Sequence, residues 1–387
     1  MRILLLNHNP INYGTYYRCF NLGRQLSYLD HNVTLICASE KDFDLHISNR
    51  RVNGNFDIFT LPRVRYHRYY TGQGFRAILG SLYSLFLKYD VIHSFAVAQP
   101  PTGVPTLISK AFRKGSVICD WDDLWSGGFA EYHNQIVKKA LETLEEIVPL
   151  MAADKVTVVS DLLLRRAGEI GLRKQDIFKI PNGADIKEIK PLDKKSIRKR
   201  LGLDTRAPMV VSMGHTYLRG LTFLFKAFLN VIDELNNAKL LMVGEVELPP
   251  QIQDLYEEMA GDVVLVGERP YEEVPYYLAA ADVLVLPMED SLIERARWPI
   301  RLGDYLASGR PIVSNAVGEV RKVLEEDRCG VVAPANDIGK FSEEILKVLM
   351  DEDLQEKLGE RARRVAEEKY SWAKIAERLS NVYKLAS

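Results

Sequence analysis

The chain has 387 residues, 47% of them hydrophobic and 27% charged, with 51 Lys+Arg against 52 Asp+Glu. That length predicts two domains of ordinary size, and the composition excludes intrinsic disorder, collagen and coiled-coil rods. A net charge of -1 also argues against a bulk nucleic-acid binder, which carries a clear basic excess.

No apolar run reaches the roughly 18 residues that a membrane-spanning helix needs, and the apolar start is too short for a secretory signal. The four cysteines (Cys19, Cys37, Cys119 and Cys329) lie far apart without a Cys-x-x-Cys pair. They are expected to be reduced packing residues of a cytoplasmic protein. The neutral total conceals an asymmetry: residues 1–114 hold 14 basic and 6 acidic side chains, a local charge of +8, and the remainder carries -9.

In chain order, short apolar runs at 3–6, 33–37, 91–93, 116–119, 155–159 and 177–180 predict buried strands. Helical spacing near 15–28, 74–88, 102–113, 133–150 and 161–170 falls between them. The charged stretch 186–204 predicts a linker with a short helix. A second strand series follows at 209–213, 240–243, 263–266, 283–286, 312–314 and 330–332. This alternation predicts an α/β protein of two doubly wound, Rossmann-like domains with parallel sheets, meeting at a cleft near residues 185–205.

Ligands of such sheets bind beyond the carboxyl ends of the strands, often at helix N-termini. No G-x-G-x-x-G or G-x-x-x-x-G-K-[ST] loop follows any predicted strand, which removes most support from dehydrogenase and P-loop readings. The strand ending at Pro287 leads through a polar loop to Pro299, which suits the first turn of a helix. The first-turn N–H groups of Ile300 and Arg301, backed by the helix dipole, would face a diphosphate. Asp304, a turn later, is either a ribose-diol acceptor or a surface acid on a packed helix. A second strand runs into Gly214, where bare backbone permits close approach. His215 and Arg219 follow at a helix start and would reach phosphate oxygens, or else be solvated.

Together these segments make the chain resemble a retaining GT-B glycosyltransferase of family 4, essentially from end to end. The landmarks are the loop Asn12-Tyr-Gly14-Thr, Val159-Ser160, and Ile180-Pro-Asn-Gly-Ala-Asp185 with Pro191. Leu241-Met-Val-Gly244, Val266-Gly-Glu268, Glu273-Val-Pro275, Ala281-Asp282, Gly309-Arg-Pro311 and Tyr370-Ser-Trp372 follow in order. The resemblance implies an acceptor-side domain over 1–190, joined by a returning helix at 372–387, and a nucleotide-sugar domain over 205–370. It implies that Gly14, Gly214, His215, Arg219, Ile300 and Arg301 hold the diphosphate, that Asp304 holds the ribose, and that Gly267, Glu268 and Arg269 line the base pocket. No metal or other cofactor is implied. The partners implied are a nucleotide sugar and an acceptor sugar or lipid-linked glycan, with no nucleic acid.

Three positions depart from the family pattern. The first Glu of its E-x7-E motif is replaced by Ala296, for which Glu294, or Glu289, is the substitute. Pro299 stands where Gly is common. The active-site His aligns with Asp122, whose carboxylate still accepts a sugar hydroxyl. The expected catalytic set is therefore Asp122, Arg219 and Glu294. Asp120-Trp-Asp122 also reads as the D-x-D cation pair of the unrelated GT-A enzymes. Alternatives to transfer are a catalytically weak sugar-nucleotide scaffold and a sugar-nucleotide epimerase of the same fold. Finally, cations and aromatics mix over 63–88, where Arg63, Arg65, Arg68 and Arg76 adjoin the apolar run 77–87. Such a face docks on anionic lipid, at about 1 kcal/mol per basic residue, or grips an anionic acceptor, or is merely solvated arginine beside a core helix.

Overall fold

Buried β-branched and leucine-rich runs build two parallel sheets, each clothed by its own helices. The computed structural model describes residues 1–66, 69–112, 114–214 and 218–386, the side chains of 65–71 and 218–219 excepted. The first unit comprises Met1–Asn182, Ala296–Trp298 and Trp372–Ser387; the second comprises Gly183–Arg295 and Pro299–Ser371.

The sheet of the first unit runs in the order Ile177–Lys179, Lys155–Val158, Ser116–Trp121, Val91–Phe95, Arg2–Pro10, Asn32–Ala38, Phe56–Leu61 and Ser48–Asn53. All pairings are parallel except the last, where Ser48–Asn53 closes the edge antiparallel. Every strand expected in this half is present. Two strands of this sheet that sequence missed lie together at one edge, where Asp57 and the polar Ser48–Asn53 interrupt any apolar run. Also unexpected is a separate three-stranded antiparallel sheet of Phe43–Asp44, Arg63–Tyr66 and Tyr69–Thr71. The helices Tyr16–Tyr28 and Trp372–Ala386 cover one face, burying Cys19, Leu22, Leu26, Ile375, Leu379 and Tyr383 against Ile3, Leu35 and Val91. Gln73–Phe86, Pro100–Ala111, Gln135–Ala152 and Asp161–Glu169 supply the other expected helices.

The second unit has six parallel strands in the order Val263–Gly267, Lys239–Val243, Met209–Met213, Val283–Leu286, Ile312–Asn315 and Val331–Ala333. Both sheets reverse strand order beside their first strand, so the loops after Arg2–Pro10 and Met209–Met213 open at topological switch points. The charged linker carries the helix Lys194–Arg200. Its Arg198 donates to Asp282 (2.7 Å), which also accepts the N–H of Met209 (2.7 Å). The Ala281-Asp282 landmark therefore fastens the linker to the first strand of this sheet. All four cysteines are buried and free, and among the described residues no helix is long and apolar enough to cross a membrane.

One buried ion pair organises the first unit. Arg18, on the helix Tyr16–Tyr28, donates through Nε and Nη2 to the two carboxylate oxygens of Asp120 (3.0 and 2.8 Å). Its remaining N–H groups reach the carbonyls of Ile180 (2.8 Å) and Pro181 (3.1 Å) and the Asn182 side chain (3.0 Å). All five guanidinium donors are satisfied. Burial alone would raise the Asp120 pKa, yet the Arg18 charge holds it down at about 2. Thr157 donates to the same carboxylate. Truncating Arg18 to Ala strands this buried charge and is expected to cost about 3–5 kcal/mol of unfolding free energy. Urea denaturation measures it, and a loss below about 1 kcal/mol would show that the pair is dispensable.

Candidate active site

In the second unit, three adjacent strands end in glycine. Gly214, Gly244 and Gly267 take φ of +93°, +125° and +75°, conformations that side chains rarely adopt. Gly214 donates its N–H to the Val243 carbonyl (2.7 Å) and Gly244 to that of Gly267 (2.9 Å). A Cβ on Gly244 would stand 3.1 Å from the Gly214 carbonyl carbon. The result is a shelf of bare backbone at the carboxyl end of the sheet, open to close approach by a ligand's polar groups.

The helix Ile300–Ser308 is clamped onto this shelf. Arg301 Nη1 donates to the Met213 carbonyl (3.0 Å), while the Tyr305 hydroxyl accepts the Met213 N–H (2.8 Å) and donates to the Val285 carbonyl (3.2 Å). Arg301, expected to serve through its backbone, thus also uses its side chain to hold the strand that enters the glycine loop. Pro299 precedes the helix as its N-cap (φ -61°, ψ 128°) instead of occupying the first turn. Extended ψ there lets the chain enter the helix, and the first intrahelical turn closes from Leu302 N–H to the Pro299 carbonyl (3.0 Å). On the opposite flank, a Cβ on Gly303 would lie 2.2 Å from the Gly183 carbonyl oxygen. The landmark containing Gly183 therefore packs backbone to backbone against this helix.

Asp304 is buried, not a surface acid. Burial pushes its pKa up to about 7, Asp185 adds to the rise, and a hydrogen bond from the Tyr271 hydroxyl (3.2 Å) opposes it. Neither Tyr271 nor Asp185 was singled out with Asp304 from sequence; each lies far along the chain, so no local spacing links them. Ile300 is half-buried at the helix start. Glu268 and Arg269 are exposed just past Gly267, and Arg269 Nη2 donates to the Val266 carbonyl (3.1 Å). Glu294 sits half-buried in the short helix Leu292–Ala296, its N–H bonded to Ser291 Oγ (3.2 Å). Ala296 is fully buried. His215 lies outside the described residues, and Arg219 is described only as backbone in the first turn of the helix Leu218–Glu234.

In the first unit, Gly14 (φ +53°) turns the loop after the first strand, and Thr15 takes its N–H to Asn9 Oδ1 (3.1 Å). Thr15 Oγ1 then donates to Asp122 Oδ2 (2.7 Å), so the fold brings the end of the glycine loop to Asp122, 107 positions further along the chain. Asp122 Oδ1 is buried without a hydrogen-bond partner, as are His8 Nδ1 and the indole N–H groups of Trp121 and Trp125. Burial, with the charges of Asp123 and Asp120, pushes the Asp122 pKa up to about 8. Burial and the Arg76 charge push His8 down to about 3, leaving it neutral. Glu145 holds the loop beyond Asp122 by accepting the N–H groups of Trp125 (2.9 Å) and Ser126 (2.6 Å). The D-x-D alternative fits poorly, because both Asp120 oxygens already accept hydrogen bonds from Arg18 and Thr157.

Two family models match consecutive parts of the chain: Glycosyltransferase Family 4 over residues 14–188, and Glycosyl transferases group 1 over residues 193–365. The chain belongs to the family 4 glycosyltransferases. The GDP-mannose-dependent monoacylated alpha-(1-6)-phosphatidylinositol monomannoside mannosyltransferase of Corynebacterium glutamicum is 26% identical over 59% of this chain and 61% of its own length. The chain thus spans only about three fifths of that curated relative. Among solved structures, sucrose-phosphate synthase from Thermosynechococcus elongatus matches with a TM-score of 0.78 at 18% identity, over 99% of this chain and 98% of its own. Anabaena HepE in complex with UDP-glucose matches with a TM-score of 0.72 at 16% identity, over 100% of both chains. At such identities the likeness is one of fold, the GT-B arrangement of two Rossmann-like domains.

Within this family member, the residues that sequence missed share one property. His8, Thr15, Tyr271 and Glu145 are ordinary polar residues in ordinary local settings. Only the folded chain sets Thr15 beside Asp122, Tyr271 beside Asp304, His8 edge-on to the Trp125 ring, and Glu145 beneath the loop that follows Asp122. Thr15 alone had a signal, being the last residue of the glycine-loop landmark.

Two outcomes follow from this geometry. Replacing Gly303 by Ala forces a methyl group into the Gly183 carbonyl, an overpacking expected to cost about 1–3 kcal/mol by thermal or urea unfolding; unchanged stability would mean the helix moves freely away from the 183–185 segment. The second outcome concerns pH. The folded chain keeps a proton on Asp122 to about 8, while an unfolded Asp releases it near about 3.9. Stability from this group is therefore full at low pH and is lost as pH rises through that interval. Asp122→Asn removes the proton, so its melting temperature should fall less than that of the wild type between about pH 5 and pH 8. Parallel curves would count against a buried, protonated Asp122.

Proposed function

We propose that this chain moves a sugar from a nucleoside diphosphate donor to an acceptor hydroxyl, with retention of anomeric configuration. The observation that carries the reading is the glycine shelf of the second unit, clamped by Arg301 and Tyr305 and flanked by Asp304. Bare backbone receives the diphosphate region, and Arg219, His215 and the first-turn amides of Ile300 and Arg301 stabilise the charge that develops as the diphosphate departs. Asp304, in its ionised form, accepts the ribose hydroxyls. The reading calls for no metal ion. It is supported by the donor named for the corynebacterial relative, GDP-mannose, and by the UDP-glucose in the HepE structure.

The first unit holds the acceptor in this reading. With Asp122 protonated and its Oδ2 accepting from Thr15, Oδ1 carries the proton and, like the Trp121 and Trp125 indole N–H groups, offers a donor to the oxygens of sugar hydroxyls. Retention rests on membership of the family. Ala296, buried where the family carries its first Glu, favours a second reading, a donor-binding scaffold with weak turnover.

Thermal unfolding with UDP-, GDP- and ADP-sugars identifies the donor, since a ligand of the folded state raises the melting temperature. With that donor, Arg219→Ala is expected to lower kcat/KM for transfer at least about a hundredfold. Near-wild-type turnover would remove Arg219 from the site. Stabilisation by a donor without transfer to any acceptor would favour the scaffold.

A further inference from the structure

A cluster of cations in the second unit is not balanced by its surroundings. A pocket of about 370 Å³ is lined by Arg328, Lys357, Arg361 and Arg364, with Glu360 as the one acid in its wall. Lys357, Arg361 and Arg364 lie on one face of the helix Glu352–Val365, at spacings of four and three. Arg361 Nε donates to the Asp327 carbonyl (2.8 Å), which fixes the guanidinium and leaves Nη1 and Nη2 without an acceptor among the described residues. The exposed side chains of Arg328, Lys357, Arg364 and Glu360 make no ion pair or hydrogen bond among the described residues. Asp327 already pairs with Lys369. Arg363 of the same helix behaves differently, reaching the carbonyls of Ile186, Ile189 and Ala307 and the Glu367 carboxylate.

Two features of this arrangement destabilise the chain when the pocket holds no anion. Like charges three and four residues apart on a helix repel each other. Arg328, moreover, brings its cation from a left-handed backbone (φ +51°), just past the end of the helix Gly318–Glu326 and its cap Asp327. Gly or Asn is usual there, and strain of this kind persists where it serves a ligand clamp. The cluster also runs against its context, since the chain beyond residue 114 carries -9. It is not the glycine shelf. Arg328 precedes the strand Val331–Ala333, whereas Gly214, Gly244 and Gly267 stand at the carboxyl ends of theirs. The strands of that sheet are all parallel, so pocket and shelf lie at opposite ends of it.

We propose that the pocket between Arg328 and the Lys357–Arg361–Arg364 face is a separate anion site, which takes a small soluble molecule bearing two or more phosphate groups. Guanidinium forks pair with phosphate oxygens bidentately, and Lys357 adds a mobile point charge. The volume falls within the range of small-molecule sites, about 300–1,000 Å³. Every side chain in its wall is charged, so the acyl chains of a phospholipid find no apolar seat there. A bound phosphate compound relieves the repulsion along the helix face and so stabilises the second unit. The inference is independent of the transfer reaction, because the shelf lies at the other end of the sheet.

Calorimetric titration and thermal unfolding of the full chain with pyrophosphate, against sodium chloride at matched ionic strength, test it. The wild type is expected to bind pyrophosphate and to melt at least about 2 °C higher with it, a shift that chloride does not reproduce. Lys357→Gln with Arg364→Gln removes two exposed cations without touching the core. It should weaken this binding at least about tenfold, with stabilisation by the nucleotide-sugar donor unchanged. Arg328→Gly relieves the left-handed strain, so its melting temperature without pyrophosphate should not fall, yet its pyrophosphate binding should. Pyrophosphate held at the glycine shelf is separated by Arg219→Ala, which should leave binding in the pocket intact. Loss of binding in Arg219→Ala alone, an equal shift with chloride, no binding, or an unaltered double variant would overturn the proposal. So would phosphatidic acid vesicles that bind through these residues where free pyrophosphate does not.

Discussion

A single buried arginine sets the interior of the first unit. Arg18 spends its five donors on a carboxylate from the strand Ser116–Trp121 and on three consecutive residues, Ile180 to Asn182, at the far end of that unit's chain. The helix that carries it begins directly after the glycine loop, so the loop, the strand and the exit of the chain share one anchor. Asn182 extends the network by donating to the Trp298 carbonyl (2.7 Å), one of the bulkiest buried residues. A charged pair at this depth is tolerable only because no donor is left over; a partly satisfied version would cost more than an apolar core.

The anchor also divides the labour of two neighbouring carboxyls. Asp120 and Asp122 are both buried, yet Arg18 compensates the first and holds it at about 2, while the second, facing like charges, is pushed up to about 8. Two acids of the same type, two residues apart, thus occupy opposite protonation states near neutral pH. The second unit shows a related economy. There, Arg301 and Tyr305 fix the Met213 backbone, and Asp304 between them on the same helix is kept dry beside Tyr271 and Asp185. Backbone geometry makes both arrangements possible: glycine at the ends of three strands, and glycine where Gly303 meets Gly183.

The neutral net charge is a cancellation between differently built regions. The first 114 residues carry +8, and the fold gathers a nearly acid-free part of them, together with outward-facing phenylalanine, leucine and isoleucine, onto helices of the first unit. The two units differ accordingly, with bare glycine backbone at the strand ends of the second and an outward apolar stripe on Gln73–Phe86 in the first.

Alternating short apolar runs and helical spacing were sufficient to specify two doubly wound units, because parallel strands buried on both faces leave a continuous hydrophobic signature. The edge strand Ser48–Asn53 and its neighbour Phe56–Leu61 were missed for the same reason: one is polar and one is interrupted by Asp57. Glycine loops and Asp122 were legible as residues at the carboxyl ends of strands, and Asp304 as a residue one turn into a helix. What they do there was not. Sequence left Asp304 undecided between surface acid and ligand; burial beside Tyr271 and Asp185 decided that it is an enclosed acid. Sequence left 63–88 undecided between a lipid-docking face, a grip on an anionic acceptor and solvated arginines beside a core helix. The structure buries Arg63, paired with Asp42, and Arg76, so those two are not solvated. By itself, then, the sequence determined the order of elements, the positions of the loops and the balance of charge, all of which depend on neighbours along the chain. Only the tertiary structure decided protonation, hydrogen-bond partners and the exposed face, because those depend on groups that are tens to hundreds of residues away until the chain folds.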